Sequence, residues 1–228
     1  MPAAGAAAAP PTLRWVCRAP QGIRPEQVQP RLGVLGGTFN PVTRAHLELA
    51  GTAAREFTLA EVLFILPAAL PHRTPEEASL EQRLALLEAA LRPCESFSLA
   101  VCSRGLLPEM AEALAPCYPP TTKIYFLVGS DAAERILRWE YADPEKALAA
   151  MFARFDLIVA SRAGRLSIPR DTRLEAYRGQ IHPLELPADC QNISASSVRR
   201  RMRRCESIEE LVPPAVARAI RQTGLYRG

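Results

Sequence analysis

The stretch GVLGGTFNPVTRAHLELA, residues Gly33 to Ala50, decides the reading. An apolar, strand-like run stops at two glycines. Thr-Phe-Asn-Pro follows, and then a Thr and a His stand three residues apart. A structural turn requires neither of the last two, but a phosphate site uses the whole stretch. Glycines without a Cβ let an anion approach the backbone. The helix start behind them presents unpaired N–H groups and a partial positive charge. Residues three apart share a helix face, so Thr43 and His46 are expected to point into one pocket as hydroxyl and imidazole donors. Neither a Walker A ending nor a GxGxxG pattern is present. The segment alone leaves a plain strand–helix turn, with His46 bonded locally, as the alternative.

Outward from this turn, short apolar runs alternate with helix-period segments. Strands are expected at Arg31–Gly37, Glu61–Pro67 (EVLFILP), Ser96–Val101, Lys123–Gly129 (KIYFLVG), Phe155–Ala160 (FDLIVA) and Gln180–Leu186. Helices are expected at Arg44–Phe57, Ser79–Arg92, Ser196–Arg204 and Pro214–Thr223, and a helical stretch broken at Asp143-Pro144 lies between the fourth and fifth strands. Ser79 and Gln82 have capping-box spacing at the start of a Leu80, Leu84, Leu87, Leu91 stripe. Uniformly apolar strands separated by helices imply a parallel sheet covered on both faces. The predicted fold is α/β, a Rossmann-like doubly wound parallel sheet in a single domain. In such sheets the ligand sits beyond the carboxyl ends of the strands, at a switch point, which is where the Gly36-Gly37 turn falls.

Composition sets bounds. The chain has 228 residues, 48% hydrophobic and 23% charged, with net charge +4, which suits a polyanionic small ligand without demanding a nucleic-acid or membrane partner. No apolar run is long enough to span a membrane. The six cysteines lack CxxC spacing, so free thiols in a reducing, cytoplasmic setting are favoured over zinc. Residues 1–30, rich in Ala and Pro, are expected to form a flexible tail, with the folded domain at 31–228. Arg14, Arg18 and Arg24 ahead of Glu26 leave a transit-peptide reading open. A homo-oligomer is compatible with the sequence.

At this point a resemblance enters. GGTFNPVTRAH resembles the nucleotidyltransferase signature G-T/S-F-D/N-P followed by H/T-x-G-H, with Thr43 in place of the first His and Ala45 in place of Gly. NISASSVRRRM resembles the late I-S-S-T-x-I-R motif, with Ile193, Ser194, Ser196 and Arg199 on its positions. YFLVGSDAAERILRW resembles the G-x-D segment of nicotinate and nicotinamide mononucleotide adenylyltransferases, with Trp139 eight residues after Asp131. Pro71-His72-Arg73 resembles their P-H-K loop, and SIEELVPPAVARAIRQTGLY resembles the bacterial nicotinate branch. The resemblance runs from about Arg31 to Tyr226.

It implies adenylyl transfer from ATP to a pyridine mononucleotide, with pyrophosphate released. The attacking phosphate oxygen is already ionised, so catalysis should be positioning and charge neutralisation. By the resemblance, His46, Thr43 and Arg199 are the catalytic residues. ATP would meet Gly36, Gly37, Thr38, Phe39, His46, Gly129, Asp131, Ile193, Ser194, Ser196 and Arg199. The mononucleotide would meet Asn40, His72, Arg73 and Trp139. Mg²⁺ would sit on phosphates and water, with no cage of protein ligands. Asp131 has an N-cap role as its alternative reading, Trp139 a core position, and His72 and Arg73 a solvated loop. His182 reads as a structural histidine. The run RRRMRR (Arg199–Arg204) lacks interleaved aromatics, which argues against nucleic acid.

The resemblance fails at one place. The S-Y-T-x-D-T segment with which bacterial members read nicotinate is replaced by SRGLLPEMAEALAPCYPP, where Ser103 is the only remnant. Two other functions stay open on the sequence: a nucleotidyltransferase with another acceptor, such as phosphopantetheine, and a nucleotide-binding sensor without turnover.

Overall fold

The computed structural model describes residues 9–69, 77–138, 143–161 and 172–227. The predicted apolar runs form strands β2 (Arg31–Gly36), β3 (Glu61–Pro67), β4 (Phe97–Cys102), β5 (Lys123–Gly129), β6 (Asp156–Ser161) and β7 (Ile181–Glu185). They pair in parallel in the order β4-β3-β2-β5-β6-β7. The chain winds outward from β2 to β4, then returns to β5 on the other side of β2. The β2/β5 seam is therefore the switch point.

Alternation within each strand explains the continuous apolar runs. Val62, Phe64 and Leu66 join one core with helices α1 (Arg44–Glu56), α2 (Leu80–Leu91), α6 (Ala195–Arg203) and α7 (Pro214–Thr223). Leu63 and Ile65 face the other core with α3 (Leu107–Leu114), α4 (Ser130–Leu137) and α5 (Pro144–Phe152). A strand covered on both faces is apolar along nearly its whole length. The helix ends also follow local chemistry: Ser79 accepts from Gln82 N, and Gln82 Oε1 accepts from Ser79 N at 2.8 Å, completing the predicted capping box. The result is the single α/β domain expected.

Two segments depart from the expectation. Leu13–Cys17, assigned by sequence to a tail ending at residue 30, is strand β1, antiparallel to β4 on the sheet edge. Trp15 packs edge-on against Tyr118 (centroids 6.1 Å apart), and the Arg18 guanidinium lies 4.1 Å from the Trp15 ring centroid. The arm is then locked by buried Glu61, which accepts from Ile23 N (2.8 Å), Ser98 Oγ (2.6 Å) and Tyr118 OH (2.8 Å). Gly22 is needed beside it, because a Cβ there would lie 2.7 Å from Glu61 Oε2. The second departure is α3, in a region to which the sequence assigned no element.

The amino ends of β5, β6 and β7 hold a second polar knot. Asp156 accepts from Lys123 Nζ (2.5 Å) and Gln180 Nε2 (3.1 Å) and meets His182 Nε2 at 2.9 Å. His182 is thus the structural histidine expected. Burial alone would raise the Asp156 pKa, but these three partners outweigh it and hold the carboxyl below its ordinary value.

Two predictions follow from the edges of this sheet. Deleting the first 17 residues uncovers the β4 edge and the Tyr118 face. It should lower Tm by about 4–10 °C, from a loss of roughly 2–3 kcal/mol in a chain of this size, and promote aggregation through the bare strand. Calorimetry that gives an unchanged Tm would refute a folded role for β1. Asp156, whose folded pKa is depressed, stabilises fully above its unfolded pKa, and this stabilisation is lost as pH falls through the folded value. Asp156→Asn should therefore be less stable at pH 7 and lose less on acidification below about pH 4. Parallel stability–pH curves for the two proteins would contradict this.

Candidate active site

The β2 strand ends in a turn that the glycine pair makes possible. Gly37 N donates to Ile65 O at 3.1 Å, extending the β2–β3 pairing by one step. A Cβ on Gly36 would stand 3.1 Å from Met110 Sδ of α3, and one on Gly37 would stand 3.2 Å from the Phe39 ring. Both positions are therefore crowded by the protein itself, in addition to any ligand. Phe39 adopts a left-handed backbone (φ 43°), a strained conformation for an aromatic residue. Its ring is buried and meets His46 edge-on, centroids 5.1 Å apart. Any contact of Phe39 with a nucleotide would run through its backbone.

The turn is pinned by its carbonyl oxygens. Arg83 Nη1 of α2 donates to Thr38 O at 2.8 Å, and Arg199 Nη1 of α6 donates to Asn40 O at 2.7 Å. The Tyr226 hydroxyl donates to Asn40 Oδ1 at 2.7 Å. Asn40 is joined to Pro41 by a cis peptide, and its side-chain oxygen serves Tyr226, an engagement that the assignment to the mononucleotide did not anticipate.

Thr43 is the N-cap of α1 and His46 its third helical residue. The imidazole takes the place that Glu or Gln has in a capping box: Thr43 N donates to His46 Nδ1 at 3.0 Å, and Thr43 Oγ1 lies 2.8 Å from the same atom. A backbone N–H can only donate, so Nδ1 carries the lone pair and the ring proton is on Nε2. Thr43 is fully buried, and its hydroxyl is engaged with the imidazole.

The late motif closes the site from the other side. Ser194 is the N-cap of α6, its Oγ accepting from Ser197 N at 3.1 Å while Ser194 N donates to Ser197 Oγ at 3.2 Å. Ser197 is a partner that the sequence reading missed. Ile193 is a core residue whose N–H is used on Cys190 O (3.2 Å), so it anchors the motif and offers no side-chain group to a ligand. Ser196 is exposed, with Oγ accepting from Arg199 Nη2 at 3.4 Å. Arg199 Nε also pairs with Glu77 Oε2 at 3.2 Å, and Glu77 holds Arg203 as well. Arg201 pairs with Glu210, so the basic run is partly neutralised by local acids.

Across the switch point, the β2/β5 register sets Val34 opposite Phe126, which carries Gly129 level with Gly37. Gly129 is the N-cap of α4, and Asp131 lies in the first turn, exposed. Asp131 is therefore not the cap residue, which was its alternative reading. His72, Arg73 and Trp139 lie outside the described residues. Among the described residues, Gly36, Gly37, Thr38, Phe39, Asn40, Thr43, His46, Ser196 and Arg199 converge on one turn. Arg83 and Tyr226 are added to them by the structure. Arg83 was readable as a charge beside the apolar stripe of α2, three residues after Leu80 and four before Leu87. Among the described residues there is no cluster of three His, Cys, Asp or Glu able to hold a metal, and no helix is long and apolar enough to cross a membrane.

The cytidylyltransferase-like family model matches residues 34–201, from β2 into α6. A Moorella thermoacetica protein named "Probable nicotinate-nucleotide adenylyltransferase" is 31% identical over 207 residues, covering 86% of this chain and 92% of that protein. A Bordetella petrii protein of the same name is 36% identical over 203 residues, covering 86% and 99%. The Plasmodium falciparum nicotinic acid mononucleotide adenylyltransferase, solved in complex with NaAD, superposes with a TM-score of 0.65 at 16% identity over 86% of this chain and 97% of that one, and so shares its fold. With the glycine turn, the capped imidazole and the serine–arginine helix start all inside the matched span, the chain belongs to the cytidylyltransferase-like family and, within it, to the nicotinate-nucleotide adenylyltransferases.

Proposed function

We propose that the protein transfers the adenylyl group of ATP to a pyridine mononucleotide, with nicotinate mononucleotide as the acceptor that the names of its relatives support. The observation that carries this is the fixed imidazole of His46. Its Nδ1 is tied to Thr43, so its Nε2–H is a pre-oriented donor beside the turn. The acceptor's phosphate oxygen attacks the α-phosphorus of ATP; that O–P bond forms while the bond from the α-phosphorus to the bridging oxygen of the β-phosphate breaks, and pyrophosphate leaves with the electron pair. No proton must be removed from the nucleophile, so a neutral donor serves better than a base. Nε2–H stabilises charge at the α-phosphate, where a pre-aimed donor needs no reorganisation. Arg199 and Ser196, at the start of α6, meet the leaving pyrophosphate. Mg²⁺, when bound, would neutralise triphosphate charge. With no carboxylate cluster among the described residues, its ligands would be phosphate oxygens and water, as suits this ion. Asp131, exposed beyond β5, would bind ligand hydroxyls.

Pyrophosphate release with ATP, Mg²⁺ and nicotinate mononucleotide tests the proposal, with nicotinamide mononucleotide and phosphopantetheine run beside it. His46→Ala should lower the rate about 10²–10³-fold. ATP binding without release with any acceptor would overturn the enzyme reading in favour of a nucleotide sensor. Glu77 offers a second check, because its carboxylate competes with phosphate for Arg199. Glu77→Gln should lower the KM for ATP about two- to fivefold, the modest effect of a partly exposed ion pair. A raised KM would mean that Glu77 instead holds Arg199 in place.

A further inference from the structure

Arg83 and Tyr226 both bond the turn, and the motif resemblance gives neither of them a role. Arg83 is buried, with only 4% of its surface exposed. Its guanidinium reaches two backbone carbonyls, Thr38 O at 2.8 Å and Ser79 O at 3.3 Å, where a buried cation would ordinarily pair with a carboxylate. Burial lowers its pKa. A well-packed apolar residue would avoid that desolvation, so the charge is retained for what it holds.

Tyr226 is equally buried and has a left-handed backbone (φ 66°) two residues after the Gly224 helix cap. The charges of Arg199 and Arg83 both act on its ionisation. Burial prevails and pushes the pKa up to about 12, so the hydroxyl remains a donor to Asn40 Oδ1 at any working pH. The two side chains bracket Phe39, the strained residue whose ring edge packs on His46. A left-handed backbone at an aromatic residue persists only where its surroundings over-determine it. Here Thr38 is held on one side and Asn40 on the other.

We propose that Arg83 and Tyr226 are positioning residues of the active site: together they hold the Thr38–Asn40 turn in the shape that seats Phe39 against His46, so that Tyr226, beyond the last helix, belongs to the catalytic apparatus without touching substrate. This rests on the functional reading above. It requires that loosening the turn misplace the imidazole, and a misplacement of about 1 Å commonly costs up to 10²-fold in rate.

The test compares Tyr226→Phe and Arg83→Met with Tyr118→Phe, which removes an equally buried phenol bonded to Glu61 at the opposite end of the sheet. Turnover is measured well below the Tm of each variant, together with ATP affinity by calorimetry. Tyr226→Phe should lower kcat about tenfold with KM changed less than about threefold, whereas Tyr118→Phe should lower only Tm. Added methylguanidinium should restore part of the kcat lost in Arg83→Ala, which a purely structural role would not show. A wild-type kcat in Tyr226→Phe overturns the proposal, and that single-atom change decides it if the Arg83 variants do not fold. Should the wild type bind ATP but release no pyrophosphate, the functional reading fails alone. The proposal is then judged on ATP affinity: a fivefold or larger weakening in Tyr226→Phe supports it, and no change overturns it. Absence of ATP binding by the wild type overturns both.

Discussion

Asn40 is the point on which the site depends. Its carbonyl takes the guanidinium of a residue 159 positions later, and its side-chain oxygen takes a hydroxyl 186 positions later. These two bonds close the first βα turn against α6 and against the end of the chain. Both partners come after the whole sheet in sequence, because α6 and α7 follow β7, so the first βα turn is tied by residues that lie far along the chain. Thr38, held by Arg83, and Leu211, whose carbonyl accepts from Arg44 N at 2.9 Å, tie the same turn to α2 and to the α6–α7 connection.

Charge is distributed along the strands to match. The buried acids sit at the amino ends: Glu61 opens β3 and Asp156 opens β6, each consumed by three partners. The carboxyl ends present His46, Arg83 and Arg199 around the glycine turn. Among the described residues no buried carboxylate lies at that end, and the parallel strands add helix starts that favour anions. Glu77 is the exception, a carboxylate shared by Arg199 and Arg203 at the mouth. It is partly exposed, so solvent screens it and it can give way to a stronger anion.

The sheet was legible because β3, β5 and β6 are covered on both faces and run apolar beyond their first residues, and the first turn was legible because its glycines, Thr and His have no common structural explanation. What escaped the sequence has physical causes. LRWVC is short, antiparallel and only partly buried, with Leu13 and Trp15 against one core and Val16 against the other, so it lacks the continuous apolar run of the central strands. LPEMAEAL is only two turns long, with Pro108 in its first turn and Pro116 just beyond its end. Thr43 was read as a ligand donor because spacing places a hydroxyl near an imidazole without saying which group it serves. Only the distances to Nδ1 show that the hydroxyl and the backbone N–H both act on the ring. Arg83 and Tyr226 escaped because their function lies in the carbonyl and amide oxygens that they reach, 45 and 186 residues away.

The altered loop after β4 can be followed in the same terms. Ser103, the one remnant of the nicotinate-reading segment, donates its N–H to Thr12 O and accepts from Thr12 N at its Oγ, both at 2.9 Å. Its hydrogen-bonding groups serve the N-terminal arm. Arg104 beside it pairs with Glu109 at 3.2 Å and donates to Ala9 O at 2.7 Å, so its charge is also committed to holding this corner. In place of the lost loop stands α3, whose Met110 presses on Gly36. The arm and α3 therefore form one structural unit: the strand that looked like a tail braces the segment that replaced the loop.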